Sequence, residues 1–266
     1  MFLTRVLSAL ILAPIVIGLI AVGGWPFNLL LILALSLAAI EFTQVMRRGG
    51  FEPPVFILLA LIITITTDVL FPDIQLLRPA LALTLIISLT WQLFNRTGIP
   101  TANWALAIAS GLYLGTSGAH FILLRQLFDG ERWLLLVVTG TWLADSGAYL
   151  VGSRFGRHKL APLLSPKKSW EGLIGGIAIS ALLNMGVAAV LNLPIIHGAA
   201  LGLIGAAIGL LGDLSISMIK RQVGVKDTGQ LIPGHGGALD RLDSLLFSVI
   251  VGYYYIIWIA VAQTSR

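Results

Sequence analysis

The sequence contains no cysteine and few charged side chains. Only 11% of its 266 residues are charged, whereas soluble proteins carry about 25%. The absence of cysteine excludes disulfides, thiolate metal sites and a cysteine nucleophile. With 57% hydrophobic residues and a mean hydropathy of +0.94, a soluble fold of this size could not bury its apolar surface. The chain is therefore predicted to lie in a lipid bilayer.

Nine apolar runs are long enough to cross the ~30 Å hydrocarbon core of a bilayer. They cover residues 6–24, 27–45, 55–71, 79–95, 103–124, 133–152, 172–192, 197–219 and 244–262. The predicted fold is an all-α, polytopic membrane protein with about nine transmembrane helices. The first run, with Arg5 before it, also resembles a signal peptide. No clear Ala-x-Ala cleavage site follows, which favours a retained helix.

The basic residues are distributed unequally between the two sides that nine spans define. One side receives 13 of the 17 Lys and Arg: Arg5, Arg47, Arg48, Arg96, Arg154, Arg157, Lys159, Lys167, Lys168, Lys220, Arg221, Lys226 and Arg241. The other side receives Arg78, Arg125, Arg132 and Arg266. Positive charge favours the cytoplasmic side. The N-terminus and the polar loops near 153–171 and 220–243 are thus predicted to be cytoplasmic, in a multi-pass protein of the cell inner (plasma) membrane.

The chain is predicted to be a single transmembrane domain, residues 1–266, with two portions that differ in the composition of their spans and the length of their loops. Residues 1–135 have Leu- and Ile-rich spans and short loops, which is typical of a membrane scaffold. In residues 136–266, polar residues enter the spans and the connecting loops lengthen. This second portion, with its two cytoplasmic loops, is the predicted catalytic portion.

A stripe of glycines follows one face of the eighth predicted span. Its members are Gly198, Gly202, Gly205, Gly209 and Gly212. In membranes such a stripe allows another helix to approach closely. We interpret it as a packing surface, either within one chain or between the two copies of a homodimer.

Two carboxylates lie inside predicted spans, below the same side of the membrane. Asp145 precedes Gly152 by seven residues and Asp213 precedes Lys220 by seven, which places each ~10 Å below its helix end. An ionised carboxylate there costs ~2.5 kcal/mol or more unless it is paired, hydrated or metal-bound. The matched depth favours one polar cavity for both. The alternative is simple pairing with a basic neighbour such as Lys220 or Arg221.

A third acidic cluster follows a glycine-rich segment. Asp240 and Asp243 are three residues apart, so on a helix they would share a face, with Asp240 near its start. Paired carboxylates suit Mg²⁺, which takes a few carboxylates plus phosphate oxygens. The preceding glycines allow a tight turn whose amides face an anion. The alternative is an ordinary loop that ends at a helix cap. These glycines are Gly234, Gly236 and Gly237.

Three other side chains have several interpretations. His235 could transfer protons, donate a hydrogen bond to a phosphate, or make a hydrogen bond that orders the loop. The last two interpretations are favoured, because a phosphate nucleophile is already ionised at pH 7 and needs no general base. Trp170 and Tyr149 are more often members of an interfacial aromatic belt than groups that stack on a base.

Residues 217–243 read Ser217-x-x-Lys220-Arg221-x4-Lys226-Asp227-x-Gly229-x3-Pro233-Gly234-His235-Gly236-Gly237-x-x-Asp240-Arg241-x-Asp243. This pattern resembles the signature of the phosphatidate cytidylyltransferase (CDP-diacylglycerol synthase) family. Two upstream segments also resemble that family, namely Ser165-Pro166-Lys167-Lys168-Ser169-x-Glu171-Gly172 and Gly212-Asp213-Leu214. The resemblance is specific from about 140 to 245, and before that it rests on hydropathy alone.

The resemblance implies an Mg²⁺-dependent nucleotidyltransferase of phospholipid biosynthesis, with room for a second metal ion. Its reaction would convert CTP and phosphatidic acid to CDP-diacylglycerol and pyrophosphate, with the bilayer as partner and no nucleic acid. The implied catalytic residues are Asp213, Asp240, Lys220, Arg221, Lys226, Asp227, Asp243 and His235. The implied substrate-binding residues are Lys167, Lys168, Ser169, Ser217, Gly234, Gly236, Gly237 and Arg241. The implied metal ligands are Asp145, Asp213, Asp240 and Asp243.

Two other functions fit the sequence less well. An ion-coupled transporter would place carboxylates near the midplane and would often have repeated halves. Here the acids lie near one surface among basic residues, and no repeat is found. A CDP-alcohol phosphotransferase would use similar substrates, but its Asp-Gly…Ala-Arg…Gly…Asp…Asp arrangement is absent.

Overall fold

The helices predicted from hydropathy are present in the structure. The computed structural model describes residues 2–95, 97–231 and 236–260, with side chains from Leu10 onward. These residues form nine α-helices, and each contains most of one predicted run. They are α1 (Phe2–Val22), α2 (Gly24–Arg48), α3 (Val55–Leu70), α4 (Leu77–Phe94), α5 (Pro100–Gln126), α6 (Gly130–Phe155), α7 (Trp170–Val190), α8 (Ile195–Gln222) and α9 (Leu239–Tyr255). A 3₁₀ turn (Pro72–Ile74) precedes α4, and a π-helix (Ile256–Ala260) continues α9.

Seven helices in the described parts of the chain are long and apolar enough to cross a membrane. The other two apolar segments, Leu10–Val22 and α3, are shorter. Large apolar side chains also face outward, as on α4, where Ile86 and Phe94 are 63% and 81% exposed. Such a surface suits hydrocarbon rather than water as its solvent. The all-α, polytopic membrane fold is confirmed, while the side that each terminus faces stays a prediction.

A small β-hairpin lies between α6 and α7, where only a loop was expected. Strand β1 (Lys159–Ala161) pairs antiparallel with β2 (Ser165–Ser169). Two strands of this length, rich in Lys and Pro, carry almost no alternating apolar pattern, so sequence periodicity could not reveal them. The hairpin fixes the direction of the side chains in the predicted cytoplasmic loop.

Close contacts between Cα atoms divide the chain into two compact units. Unit 1 contains Met1–Leu123 and Lys220–Arg241, and unit 2 contains Leu124–Ile219 and Leu242–Arg266. In unit 1, the fully buried side chains Leu35, Leu58 and Ile62 form part of the core. Residues 220–241 thus group with the first helices rather than with residues 136–219. The predicted division near residue 135 between a scaffold and a catalytic portion stays a prediction.

In unit 2, polar side chains fasten three helices together. Asn184 on α7 is fully buried and donates to the carbonyl oxygens of Leu136 (3.2 Å) and Gly198 (3.1 Å), while its own oxygen accepts from Thr139 (2.9 Å). Ser180 donates to the Gly140 carbonyl oxygen at 2.6 Å. Because hydrocarbon offers no replacement partners, such bonds are retained. They fix α8, which carries Asp213, against α6 and α7.

The glycine stripe of α8 packs against helices of the same chain. A Cβ at Gly205 would lie 2.8 Å from the backbone of Thr141 on α6, and one at Gly212 would collide with the Asp243 carbonyl oxygen on α9. The backbones at these points are in direct contact, as expected for small residues in membrane helices. The interpretation of the stripe as a packing surface is confirmed, and the stripe no longer supports a homodimer.

Gly202→Ala is expected to destabilise the protein. The added Cβ would lie 2.6 Å from the Ser180 carbonyl oxygen, a backbone atom that cannot rotate away. Overpacking of this kind costs about 1–3 kcal/mol. The melting temperature of the purified protein in detergent should therefore fall. Gly186→Ala on α7 is the control, because nothing lies within 4 Å of its added Cβ. Equal melting temperatures for the two variants would contradict this packing.

Candidate active site

Asp213 lies on α8 and pairs with a lysine from the β-hairpin. The Nζ of Lys168 contacts the Oδ2 of Asp213, and the two side chains are 24% and 26% exposed. The hydroxyl of Ser217, one helical turn further along α8, donates to Oδ1 at 3.2 Å. We call Lys168, Asp213 and Ser217 the Asp213 cluster. The cation for Asp213 comes from β2, whereas the sequence had suggested Lys220 or Arg221 as its neighbour.

The hairpin that presents Lys168 is anchored by the start of α7. Ser169 is the N-cap of α7, and its hydroxyl accepts from the Gly172 amide at 3.1 Å. Glu171 accepts from the backbone amides of Arg157 (3.1 Å) and His158 (3.2 Å) and from the His158 ring at 2.5 Å. These bonds satisfy groups that a helix end and a strand end would otherwise leave unpaired. Ser169 therefore orders the hairpin beside Lys168.

The other two carboxylates predicted to bind metal in unit 2 differ in exposure. Asp145 is an exposed residue of α6, ten positions before the end of that helix at Phe155. Asp243 is 8% exposed on α9, and its Oδ1 accepts from the Ser244 amide at 2.7 Å. Because Gly212 contacts the backbone of Asp243, Asp213 lies on α8 next to that contact. Asp213 is thus a neighbour of Asp243 through the α8–α9 packing.

Asp240, at the start of α9 as predicted, is buried and accepts hydrogen bonds on both carboxylate oxygens. Lys220 donates to Oδ1 at 2.6 Å. Oδ2 accepts from the amides of Thr228 (2.8 Å) and Gly237 (3.1 Å), and it lies 3.0 Å from the Thr228 hydroxyl. Asp240 and Lys220 are each 7% exposed. We call Lys220, Thr228, Gly237 and Asp240 the Asp240 cluster. All of it lies in unit 1.

Two glycines of the signature, Gly236 and Gly237, lie against this cluster. Gly236 has a φ of +83°, and a Cβ there would lie 2.8 Å from the Oδ2 of Asp240. The amide of Gly237 donates to Asp240, so it is already engaged by a side chain of the protein itself. The sequence had predicted amides that face an anionic ligand, and this one faces a carboxylate. A role of Gly237 in substrate binding stays a prediction.

The basic residues around the clusters divide by exposure. Lys167, Lys226 and Arg241 are exposed, as is Asp227. Arg221 is exposed as well, but its guanidinium donates to the Val225 carbonyl oxygen at 2.9 Å and closes the turn after α8. Gly234 and His235 lie outside the described residues, so their predicted roles stay predictions. Trp170 and Tyr149 are exposed by 54% and 74%.

One functional residue escaped the sequence analysis. Glu41, on α2, is 7% exposed and accepts hydrogen bonds from Thr228, Ala238 and Leu239. The sequence did contain a signal for Glu41, because an acidic residue inside an apolar span requires partners. It was missed because the first 135 residues were interpreted as scaffold.

The two clusters differ in their suitability for a metal ion. No group of three or more His, Asp or Glu side chains in the described part of the chain is arranged to hold a metal. Mg²⁺ needs only one or two carboxylates when a substrate supplies phosphate oxygens. Asp213 is partly exposed and fits this requirement. Asp240 fits it less well, because it is only 7% exposed and is held by Lys220 and by two backbone amides. Its predicted metal role stays a prediction.

This geometry defines a polytopic membrane protein with a partly exposed carboxylate–lysine pair on a membrane helix. The profile of the cytidylyltransferase family matches residues 3–259. The chain is 35% identical over 282 aligned residues to a phosphatidate cytidylyltransferase of Synechocystis sp., covering 95% of this chain and 96% of that protein. It is 31% identical over 258 residues to the Bacillus subtilis phosphatidate cytidylyltransferase, covering 94% and 96%. The Haemophilus influenzae phosphatidate cytidylyltransferase is 49% identical over 122 residues, 40% of each chain. The chain belongs to the cytidylyltransferase family.

Asp240→Asn is expected to destabilise the protein by about 3–5 kcal/mol, because it leaves the buried ammonium of Lys220 without its counter-charge. The melting temperature in detergent should fall clearly. Asp227→Asn, an exposed carboxylate on the same loop, is the control and should change stability by less than about 0.5 kcal/mol.

Adding Lys220→Met to Asp240→Asn should restore part of the lost stability, because the unpaired charge is then removed. The effects of the two single substitutions should therefore not add in the double variant. Additive losses would show that Lys220 and Asp240 do not depend on each other.

Proposed function

We propose that this member of the cytidylyltransferase family transfers a cytidylyl group from CTP to phosphatidate, forming CDP-diacylglycerol for phospholipid biosynthesis. The family match spans nearly the whole chain, and relatives of matching length carry the name of this activity. The observation that carries the proposal is the Asp213 cluster, a carboxylate and a lysine held partly exposed on a membrane helix. CTP is soluble and phosphatidate stays in the bilayer, so a site on membrane helices suits both.

The reaction is a displacement at the α-phosphorus of CTP. A phosphate oxygen of phosphatidate forms the new P–O bond, and the bond between the α-phosphorus and the oxygen that bridges to the β-phosphorus breaks. Pyrophosphate leaves with that oxygen and its electron pair. The nucleophile is already ionised at pH 7, so no general base is required. Such a transfer depends mainly on positioning and on neutralising the charge of the phosphates.

The basic residues of the site have different proposed roles in this transfer. Lys168, held by the hairpin and by Asp213, would bind a phosphate group. Lys167, Lys226 and Arg241 are exposed and would be free to bind phosphate groups of the triphosphate or of the lipid headgroup. Lys220 is bound to Asp240 and supports the structure instead. The sequence had predicted that Lys220 binds phosphate with the other basic residues, and the proposal removes it from that group.

Mg²⁺ is the proposed cofactor, with Asp213 as its principal ligand and Asp243 and Asp145 as supporting acidic residues. When bound, the ion would neutralise charge on the phosphates of CTP and on the departing pyrophosphate. Asp240 is left out of this set because it is buried and paired with Lys220, whereas about a quarter of the Asp213 side chain is exposed. A second metal ion stays a prediction.

The proposed location is the inner (plasma) membrane, with the hairpin and the α8–α9 loop (residues 223–238) in the cytoplasm, where CTP is made. The unequal distribution of Lys and Arg supports this orientation. A homodimer stays a prediction without structural support, since the glycine stripe that suggested it packs within the chain.

The direct test of the activity uses the purified protein with CTP, phosphatidate and Mg²⁺. CDP-diacylglycerol and pyrophosphate should form in equal amounts, and diacylglycerol should not replace phosphatidate as acceptor. Failure to form CDP-diacylglycerol across a range of lipid and Mg²⁺ concentrations would overturn the proposed function.

Asp213→Asn should lower kcat about a hundredfold or more, as expected when one electrostatic group is removed from the reaction centre. The Mg²⁺ concentration for half-maximal residual activity should rise, because a neutral amide is a poorer ligand. The melting temperature should change little, since Asp213 is partly exposed. Asp73→Asn, an exposed carboxylate before α4, is the control. An unchanged Mg²⁺ requirement in Asp213→Asn would contradict the ligand role.

The orientation can be tested by cysteine labelling, because the natural chain has no cysteine to interfere. Leu163 at the hairpin and Phe128 before α6 are each 89% exposed, and the length of α6 separates them. In intact cells, an impermeant maleimide should label Phe128→Cys and spare Leu163→Cys. In inside-out vesicles the pattern should reverse. Labelling of Leu163→Cys in intact cells would show that the hairpin is outside.

A further inference from the structure

The buried carboxylate of Glu41 joins α2 to Thr228 and to the start of α9. Its Oε1 accepts from the Ala238 amide at 2.9 Å, and its Oε2 accepts from the Leu239 amide at 2.9 Å. Oε2 also lies 3.0 Å from the hydroxyl of Thr228. We propose that Glu41 is a positioning residue, which holds the α8–α9 loop and the start of α9 in their working arrangement. The proposal rests on the proposed function only where it concerns activity.

The amides that Glu41 binds are those of Leu239, the first residue of α9, and of Ala238 just before it. The first amides of a helix have no partner within it, and the helix dipole favours a negative charge beside them. Helices usually meet this need with a side chain next to their own start. Here the acceptor is almost two hundred residues away in sequence. Glu41 therefore caps α9 and ties it to α2 with the same carboxylate.

Two glycines make room for this carboxylate. A Cβ at Gly229 would lie 2.5 Å from the Oε1 of Glu41, and a Cβ at Gly237 would collide with Oε2. Gly229 and Gly237 do not have a positive φ, so the need for space beside Glu41, rather than an unusual backbone conformation, requires glycine here. The backbone at Gly229 and at Gly237 is thus shaped around Glu41.

Thr228 connects Glu41 to the Asp240 cluster. Its hydroxyl lies 3.0 Å from the Oε2 of Glu41 and 3.0 Å from the Oδ2 of Asp240. A hydroxyl has one hydrogen, so it donates to one of these two oxygens at a time. Its amide meanwhile donates to Asp240 at 2.8 Å. A change at Glu41 therefore reaches Asp240 and its partner Lys220 through one residue.

This arrangement has a consequence for substrate binding. A helix start preceded by glycines is a common anion site. In this protein the amides of Ala238 and Leu239 are bound by Glu41, and that of Gly237 is bound by Asp240. Phosphate groups of the substrates must therefore be bound by side chains such as Lys226 and Arg241 rather than by these three amides.

The test is hydrogen–deuterium exchange of the full-length protein in detergent, with activity measured in parallel. Glu41→Gln keeps the size of the side chain but places an NH₂ group against backbone or hydroxyl donors. Peptides that contain Thr228 and residues 236–240 should then exchange at least about tenfold faster, as expected when a buried hydrogen bond is lost. Peptides from α6 and α7 should be unchanged. Glu52→Gln, an exposed glutamate after α2, is the matched control and should match the wild type.

Gly237→Ala provides a second variant, since it displaces the Glu41 carboxylate without removing it. It should raise exchange in the same peptides, and combining it with Glu41→Gln should add little. Both variants should lower kcat by about tenfold or more, as displaced supporting groups do, while the folded fraction stays high. Unchanged exchange in Glu41→Gln, or exchange raised equally throughout the protein, would overturn the positioning role. An inactive wild type with the predicted exchange pattern would instead overturn only the proposed function.

Discussion

A carboxylate that leaves water for a low-dielectric interior must find compensating charge or several hydrogen-bond donors, and this requirement organises the polar part of the protein. Asp240 meets it with the ammonium of Lys220 and with backbone donors of the α8–α9 loop. Glu41 meets it with the amides at the start of α9. The loop is held because these two carboxylates would otherwise be unsatisfied. A side chain at Gly229, Gly236 or Gly237 would collide with one of these two carboxylates.

Asp213 meets the same requirement in a different way. Its partners are the side chains of Lys168 and Ser217, and it keeps about a quarter of its side-chain surface exposed. A partly exposed ion pair can exchange its partner for a metal ion or a phosphate at lower cost than a buried one. These acidic residues thus differ in their surroundings. Asp240 and Glu41 are buried among donors of the protein, whereas Asp213 is partly exposed, which is the basis for the ligand role proposed for it.

Hydropathy was sufficient to predict the nine helices, because spans of about twenty apolar residues have few alternative structures in a bilayer. It also located Asp145 and Asp213 as carboxylates inside spans that need partners. It could not identify those partners, since Lys168 reaches Asp213 from a hairpin without an apolar pattern. Glu41 reaches the loop from a helix that was interpreted as scaffold. Contacts between segments far apart in sequence depend on tertiary packing, and in this chain they determine which carboxylate is available to a ligand.

The division between Asp213 and Asp240 can be tested most directly by locating the metal ion. Crystals of the protein grown with CTP and Mn²⁺, which scatters X-rays anomalously, would show the ion independently of the protein density. The account predicts an anomalous peak at coordination distance from the Asp213 carboxylate, with the bond between Lys220 and Asp240 intact. A peak bound to Asp240, with Lys220 displaced from it, would contradict the account.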